Sequence, residues 1–287
     1  MAKYFKASGF ILLYLAVYLA AQIGVMFLYS IVYIINYYLQ NEVIPKDVYE
    51  SVIKNILINT TPCILVSIVI SIPIYYLITK LRKERFIDVC SFKRISPAGI
   101  GINTLTGMAM AIFILYILAI IDSIYPLKNI SGDYEDLMNT IMSGNFVIVF
   151  ITVGILGPII EEIIFRGLVL SELRKVTHNT SAVIIQGVLF GIYHMNPLQA
   201  MYASVIGIVL GYVMLRYKTL WAPILVHIFF NSLNILLDKM LSEQHAQSYG
   251  VIYFLLSTIF IIVLTAYEVS MHKKSRKVSS EFSDENY

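Results

Sequence analysis

The chain has 287 residues, of which 58% are hydrophobic and only 14% are charged. Soluble globular chains are about 45–50% apolar and about 25% charged, so this composition excludes an ordinary soluble domain and predicts a multi-pass membrane protein. The net charge of +3 is small, and the two cysteines, Cys63 and Cys90, form no CxxC or Cys/His pattern. We therefore expect no nucleic-acid partner, no disulfide framework and no structural zinc site.

Apolar stretches long enough to cross a bilayer recur along the whole chain. A spanning helix needs about 20 apolar residues. The fifth stretch is short and ends at Asn196-Pro197, so the fifth and sixth could instead form a re-entrant hairpin. The predicted fold class is all-α, a polytopic transmembrane helical bundle. The sequence predicts eight spans, at 9–37, 57–79, 99–121, 146–170, 181–196, 198–215, 220–238 and 250–271.

Basic residues are distributed unevenly between the segments that join these spans. Because positive charge marks the cytoplasmic side, both termini are predicted to be cytoplasmic. The tail from Ser275 to Tyr287 is polar, and we expect it to be disordered. Most of the Lys and Arg residues fall in the segments 3–6, 80–94, 174–175, 216–218 and 273–277.

Two adjacent carboxylates, Glu161 and Glu162, interrupt the fourth span after 15 uncharged residues. An ionisable side chain at the bilayer centre costs about 2.5–3.5 kcal/mol on insertion scales, and such residues usually face a bundle interior or a wet cavity. Residues four apart share a helix face, so Glu162 and Arg166 are predicted to form an ion pair. Glu161 is rotated from Glu162 by about 100° and is left to face a cavity.

Three further polar residues fall in apolar runs of later spans. His194 follows the apolar run 187–193 in the fifth span, and His227 and Asn231 lie four residues apart in the seventh. With Glu161 they support two chemistries. In one, Glu161 is a general base that removes a proton from water, and His227 with Asn231 stabilises the oxyanion. In the other, Glu161, His194 and His227 hold a divalent metal such as zinc, which activates the water.

Three motifs in these spans resemble those of a known family. Residues 161–166 match EExxFR, residues 190–194 match FxxxH, and residues 227–231 match HxxxN. Their order and spacing resemble the CPBP family of intramembrane proteases. That family includes the type II CAAX prenyl endopeptidases and bacterial proteins linked to bacteriocin processing and self-immunity. The resemblance covers about residues 145–237.

The resemblance implies a role for each matched residue. It implies that Glu161 activates the catalytic water, Glu162 pairs with Arg166, and His194 contacts the water or the substrate. It also implies that His227 and Asn231 form the oxyanion site. Family members are commonly labelled metalloproteases, although a metal-free glutamate mechanism is also proposed for them, so the cofactor is either none or one divalent metal.

These inferences predict a hydrolase of the CAAX protease type in a bacterial cell membrane, in contact with lipid and acting on a peptide or membrane-anchored protein. We expect N-terminal transmembrane helices with loops at 1–144, a catalytic core at 145–237, and a last helix with a polar cytoplasmic tail at 238–287. The alternative is a non-catalytic bacteriocin-immunity or scaffold membrane protein that binds a peptide in the same cavity. The sequence contains no internal repeats, which disfavours a transporter built from duplicated halves.

Overall fold

Helices account for nearly all of the chain that can be described. The computed structural model describes residues 1–40, 48–125, 127, 134–240, 252, 254–263 and 266, and no strand occurs among them. This confirms the predicted all-α class. The polar tail from Ser275 to Tyr287 and much of the predicted eighth span lie outside the described residues.

Eleven helices occur within the described ranges. The seventh is a single rod that contains both α-helical and π-helical turns. The helices are α1 (Ala2–Gln40), α2 (Val48–Ile58), α3 (Thr60–Leu81), α4 (Phe86–Val89), α5 (Pro97–Ile124), α6 (Tyr134–Met142), α7 (Phe146–Arg174), α8 (Asn179–Tyr193), α9 (Pro197–Tyr217), α10 (Trp221–Met240) and α11 (Phe254–Val263).

Six of these helices, α1, α3, α5, α7, α9 and α10, are long and apolar enough to cross a membrane. They make the chain an integral, multi-pass membrane protein, as its composition predicted. The two remaining predicted spans coincide with the shorter apolar helices α8 and α11. The 15 residues of α8 reach about 22 Å, less than the roughly 30 Å of the hydrocarbon core. The number of crossings and the side of the termini therefore stay predictions.

Three basic connecting segments meet at one end of the bundle. The hydroxyl of Thr219 donates a hydrogen bond to the carbonyl of Lys93 over 2.6 Å, which joins the loop before α10 to the loop before α5. The ammonium of Lys175, which follows α7, lies 3.4 Å from the carboxylate of Glu84. These contacts agree with the prediction that the three segments share one side of the membrane.

A buried ion pair fastens α7 to the end of α3 in this region. Arg82 contacts Glu172 at 2.7 Å, and the side chain of Glu172 is only 3% exposed. Lys175 also contacts Glu172, at 2.8 Å, and the Arg82 guanidinium stacks 3.7 Å from the ring of Phe10 in α1. Burial lowers the pKa of Arg82, but the hydrogen bond and charge of Glu172 outweigh it, so the pKa lies above its usual value. Arg82 thus stays charged and ties three helices together.

We expect Arg82→Met to lower the free energy of unfolding by about 2–3 kcal/mol. Losing one partner of a buried pair usually costs about 3–5 kcal/mol, and Lys175 still faces Glu172 in the variant. The matched control is Arg85→Met, whose ion pair with Asp88 is 81% and 64% exposed and should contribute less than about 1 kcal/mol. Unfolding of both variants in detergent tests this difference, and equal losses of stability would contradict it.

Candidate active site

The site is built on the α7 rod, which is not a uniform α-helix. Phe150–Leu156 and Ile163–Val169 are π-helical, and between them lies the α-helical stretch Gly157–Glu162, which ends in the two adjacent glutamates. π-Helical turns are rare and occur frequently at functional sites. The two glutamates therefore sit between two irregular turns.

Glu162 and Arg166 form the ion pair that their spacing predicted. Arg166 Nη1 donates to Glu162 Oε1 over 2.8 Å, and both side chains are fully buried. Arg166 Nη2 donates to the carbonyl of Gly207 in α9 over 3.1 Å, and the guanidinium lies 4.5 Å from the ring centre of Phe190. Arg166 thus contacts a carboxylate, a backbone carbonyl and an aromatic ring inside the bundle.

The same oxygen of Glu162 also binds His227, a contact that the sequence did not predict. His227 Nδ1 lies 2.8 Å from Glu162 Oε1, and the His227 side chain is 4% exposed. Because a carboxylate accepts hydrogen bonds, this contact assigns a proton to Nδ1. The other ring nitrogen, Nε2, lies 3.7 Å from Glu161 Oε2. A continuous line of contacts therefore runs from Arg166 through Glu162 and His227 to Glu161.

Glu161 differs from its neighbour in exposure. Its side chain is 24% exposed, whereas that of Glu162 is fully buried. This is the division that helical rotation predicted. Tyr193 of α8, whose hydroxyl donates to the carbonyl of Leu15 in α1 over 3.2 Å, and Tyr18 of α1 lie within electrostatic range of Glu161. The first helix therefore contributes to the environment of Glu161.

His194 lies at the tip of the α8–α9 hairpin. It caps the C-terminus of α8, Met195 adopts a left-handed conformation with φ of 55°, and the Asn196 side chain accepts from the backbone of Gln199 to start α9. His194 Nδ1 lies 2.8 Å from the carbonyl of Phe190, which leaves Nε2 as the free acceptor. The tight turn thus fixes the orientation of the imidazole.

Phe190 packs against both predicted histidines. Its ring centre lies 4.9 Å from that of His194 and 5.7 Å from that of His227, both in edge-on geometry. No hydrogen bond joins His194 directly to His227 or to Glu161 in the part of the chain that the structure describes. The structure therefore brings Glu161, Glu162, Arg166 and His227 into one chain of contacts, and the Phe190 ring contacts both His194 and His227.

Asn231 has a structural partner that its predicted oxyanion role did not include. Its side-chain Nδ2 donates to the carbonyl of Val153 over 3.0 Å, and the neighbouring Ser232 hydroxyl donates to the carbonyl of Gly154 over 3.1 Å. Gly157 N–H donates to the Thr152 carbonyl in the π-helical register, so the next donor, for the Val153 carbonyl, would be residue 158, which is a proline without an N–H. The Asn231 side chain thus satisfies a carbonyl that Pro158 leaves free in α7.

Gln186 is a buried polar residue that the motifs missed. It is fully buried in α8, and its Nε2 donates to the Gly207 carbonyl over 2.7 Å, the same carbonyl that Arg166 binds. Glycines allow this close approach, because a Cβ on Gly207 would lie 2.9 Å from the Cα of Gly187 and one on Gly211 would clash with Gln186. A lone glutamine in the apolar run of the fifth span was the available sequence signal.

The side chains predicted as metal ligands do not form a ligand cluster. No group of three His, Cys, Asp or Glu side chains close enough to hold a metal occurs among the described residues. Glu161 Oε2 lies 3.7 Å from His227 Nε2, but His194 does not complete a three-ligand group with these two side chains. The described side chains therefore do not assemble the three-ligand zinc site that the sequence left open.

Comparisons with known proteins match the segment that carries the three motifs. Residues 143–233 match the family model described as "Type II CAAX prenyl endopeptidase Rce1-like". A Bacillus subtilis (strain 168) protein named "Putative membrane peptidase YdiL" is 31% identical over 91 residues. That match covers 32% of this chain and 37% of the relative, so the chain aligns with little more than a third of its length. No solved structure matches.

Proposed function

Because residues 143–233 match the model of the Rce1-like family of type II CAAX prenyl endopeptidases, in agreement with the three motifs, we propose that this chain is an intramembrane endopeptidase. It hydrolyses a peptide bond of a peptide or membrane-associated protein with a water that Glu161 activates. The observation that carries the proposal is the position of the Glu161 carboxylate. It is partly exposed and lies 3.7 Å from a histidine whose other nitrogen a second carboxylate holds.

Glu161 is the general base of this reaction. It accepts a proton from water as the water oxygen attacks the carbonyl carbon of the substrate, and a tetrahedral oxyanion forms. Glu161 then gives that proton to the nitrogen of the leaving amine as the C–N bond breaks. A base that lies within hydrogen-bond reach of its water typically contributes about 10²–10⁴-fold to the rate.

His227 is the donor that faces the developing oxyanion. To donate from Nε2 while Nδ1–H donates to Glu162, the imidazole must carry a proton on both ring nitrogens. Nδ1–H then donates to Glu162, and Nε2–H is available first to Glu161 and then to the oxyanion. Fixed donors of this kind are often the largest single contribution to catalysis.

Asn231 and His194 have supporting roles in the proposal. Asn231 uses one amide N–H to bond Val153, which leaves its second N–H for the oxyanion. His194 presents its free Nε2 to the attacking water or to the substrate. We assign this catalytic core to residues 145–237, with α1 supplying one wall of the site.

Turnover of a peptide library by the purified protein in lipid nanodiscs tests the proposal. Fragments are identified by mass spectrometry for the wild-type protein and for Glu161→Ala. We expect new cleavage products only with the wild-type protein, and the same products after dialysis against a chelator. Equal cleavage by both proteins would reject Glu161 as the base. Peptide binding without cleavage by either would favour the non-catalytic immunity or scaffold alternative.

A further inference from the structure

An open groove of about 340 Å³ lies at the basic end of the bundle, apart from the catalytic residues. It is bounded by the start of α5 and the start of α10. Its lining is mainly apolar and includes one basic residue. The lining residues are Arg94, Ile95, Ile100, Trp221 and Leu225.

Arg94 differs from the arginines near it because it has no acidic neighbour. Arg82 pairs with Glu172 and Arg85 pairs with Asp88, but Arg94 makes no ion pair or hydrogen bond with any described residue. Its side chain is exposed, and the adjacent Lys93 is exposed as well. The edge of the groove therefore carries uncompensated positive charge that can bind an anion.

The floor of the groove suits a hydrocarbon chain. Ile100 is 45% exposed and Trp221 is 43% exposed, both at the ends of helices long enough to span a membrane. The ring of Phe92 packs edge-on against the Trp221 indole at 5.4 Å between ring centres, which fixes one wall. Tryptophan is enriched where the hydrocarbon core meets the headgroups, so this groove lies at the depth where a lipid has both its phosphate and its first methylenes.

We propose that this groove is a binding site for one anionic phospholipid. The phosphodiester of the lipid contacts Arg94, and an acyl chain lies over Ile100 and Leu225 in the seam between α5 and α10. A soluble anion would use the guanidinium but leave the apolar floor uncovered. A zwitterionic lipid carries an ammonium that offsets its phosphate. Basic pockets between transmembrane helices on the cytoplasmic side bind acidic headgroups by the same physics.

Competition between lipids on the full-length protein tests the site. The purified protein in detergent is titrated with phosphatidylglycerol or phosphatidylcholine of matched chains, and bound lipid is counted by native mass spectrometry. We expect phosphatidylglycerol to be retained preferentially by the wild-type protein. Arg94→Gln should lower that retention by about fivefold, since each basic residue near an anionic surface contributes on the order of 1 kcal/mol. Arg85→Gln, the exposed and paired control, should change it little.

A second variant separates the groove from general attraction between charges. Ile100→Trp fills the apolar floor while keeping Arg94, and it should lower retention of phosphatidylglycerol as Arg94→Gln does. Phosphatidylglycerol should also raise the melting temperature of the wild-type protein more than that of either variant, because a ligand stabilises only the state that it binds. Equal retention of the two lipids, or full retention by Ile100→Trp, would overturn the proposal. Peptide cleavage is not measured, so this outcome is independent of the proposed protease activity.

Discussion

Glu161→Gln is expected to lower kcat/KM by about 10²–10⁴-fold while leaving the free energy of unfolding within about 1 kcal/mol of wild type. Glutamine keeps the shape of the side chain but cannot accept the proton of the attacking water. The stability should change little because Glu161 is partly exposed and its closest ionic contact, with His227, is 3.7 Å long. The two measurements together distinguish a chemical role from a structural one.

The matched control for this substitution is Glu84→Gln. Glu84 is also a partly exposed carboxylate beside basic groups, at 31% exposure, but it lies in the ion cluster with Arg82 and Lys175. Initial rates on the peptide that the library identifies, with an unfolding curve for each variant, provide the comparison. A Glu161→Gln protein that cleaves as fast as Glu84→Gln would show that another group activates the water.

Contacts within one helix were the part of the site that the sequence predicted best. Glu162 and Arg166 pair because four residues of helix bring side chains together whatever the rest of the bundle does. The greater exposure of Glu161 follows from the same geometry. Helix ends were less predictable, since α1 runs from Ala2 to Gln40 whereas its apolar part predicted 9–37. The backbone hydrogen bonds of a helix can continue past the hydrocarbon core, so the length of the apolar stretch does not fix the ends of the helix.

Contacts between helices could not be read from spacing. The bond between His227 and Glu162 joins residues 65 positions apart, and only the packing of α10 against α7 creates it. The Asn231 contact depends on the carbonyl of Val153, which Pro158 leaves without a donor. Sequence reasoning assigned Asn231 to the oxyanion site and had no means of linking it to Pro158. Periodicity alone could not predict that the three motifs lie close together. That expectation came from the resemblance to a family.

The contacts that run from Arg166 through Glu162 and His227 to Glu161 can be interpreted in two ways. A single and a double variant distinguish the two interpretations. In the structural one, Glu162 and Arg166 are only a buried ion pair. In the catalytic interpretation, Glu162 also holds His227 so that its Nε2 faces Glu161 and the oxyanion. Glu162→Leu should lower the free energy of unfolding by about 3–5 kcal/mol, because it leaves the Arg166 guanidinium buried without its carboxylate.

The double variant Glu162→Leu/Arg166→Met decides between these interpretations. It removes both charges, and replacing a buried ion pair by apolar residues is often neutral or stabilising, so most of the lost stability should return. Gln186 still holds the Gly207 carbonyl in that protein. Activity should stay at least about 10²-fold below wild type, because His227 has lost the partner of its Nδ1. Unfolding in detergent and kcat/KM on the same preparations give both quantities. A stable double variant with wild-type activity would reduce Glu162 to a structural residue, whereas stability without activity identifies it as the group that orients the histidine.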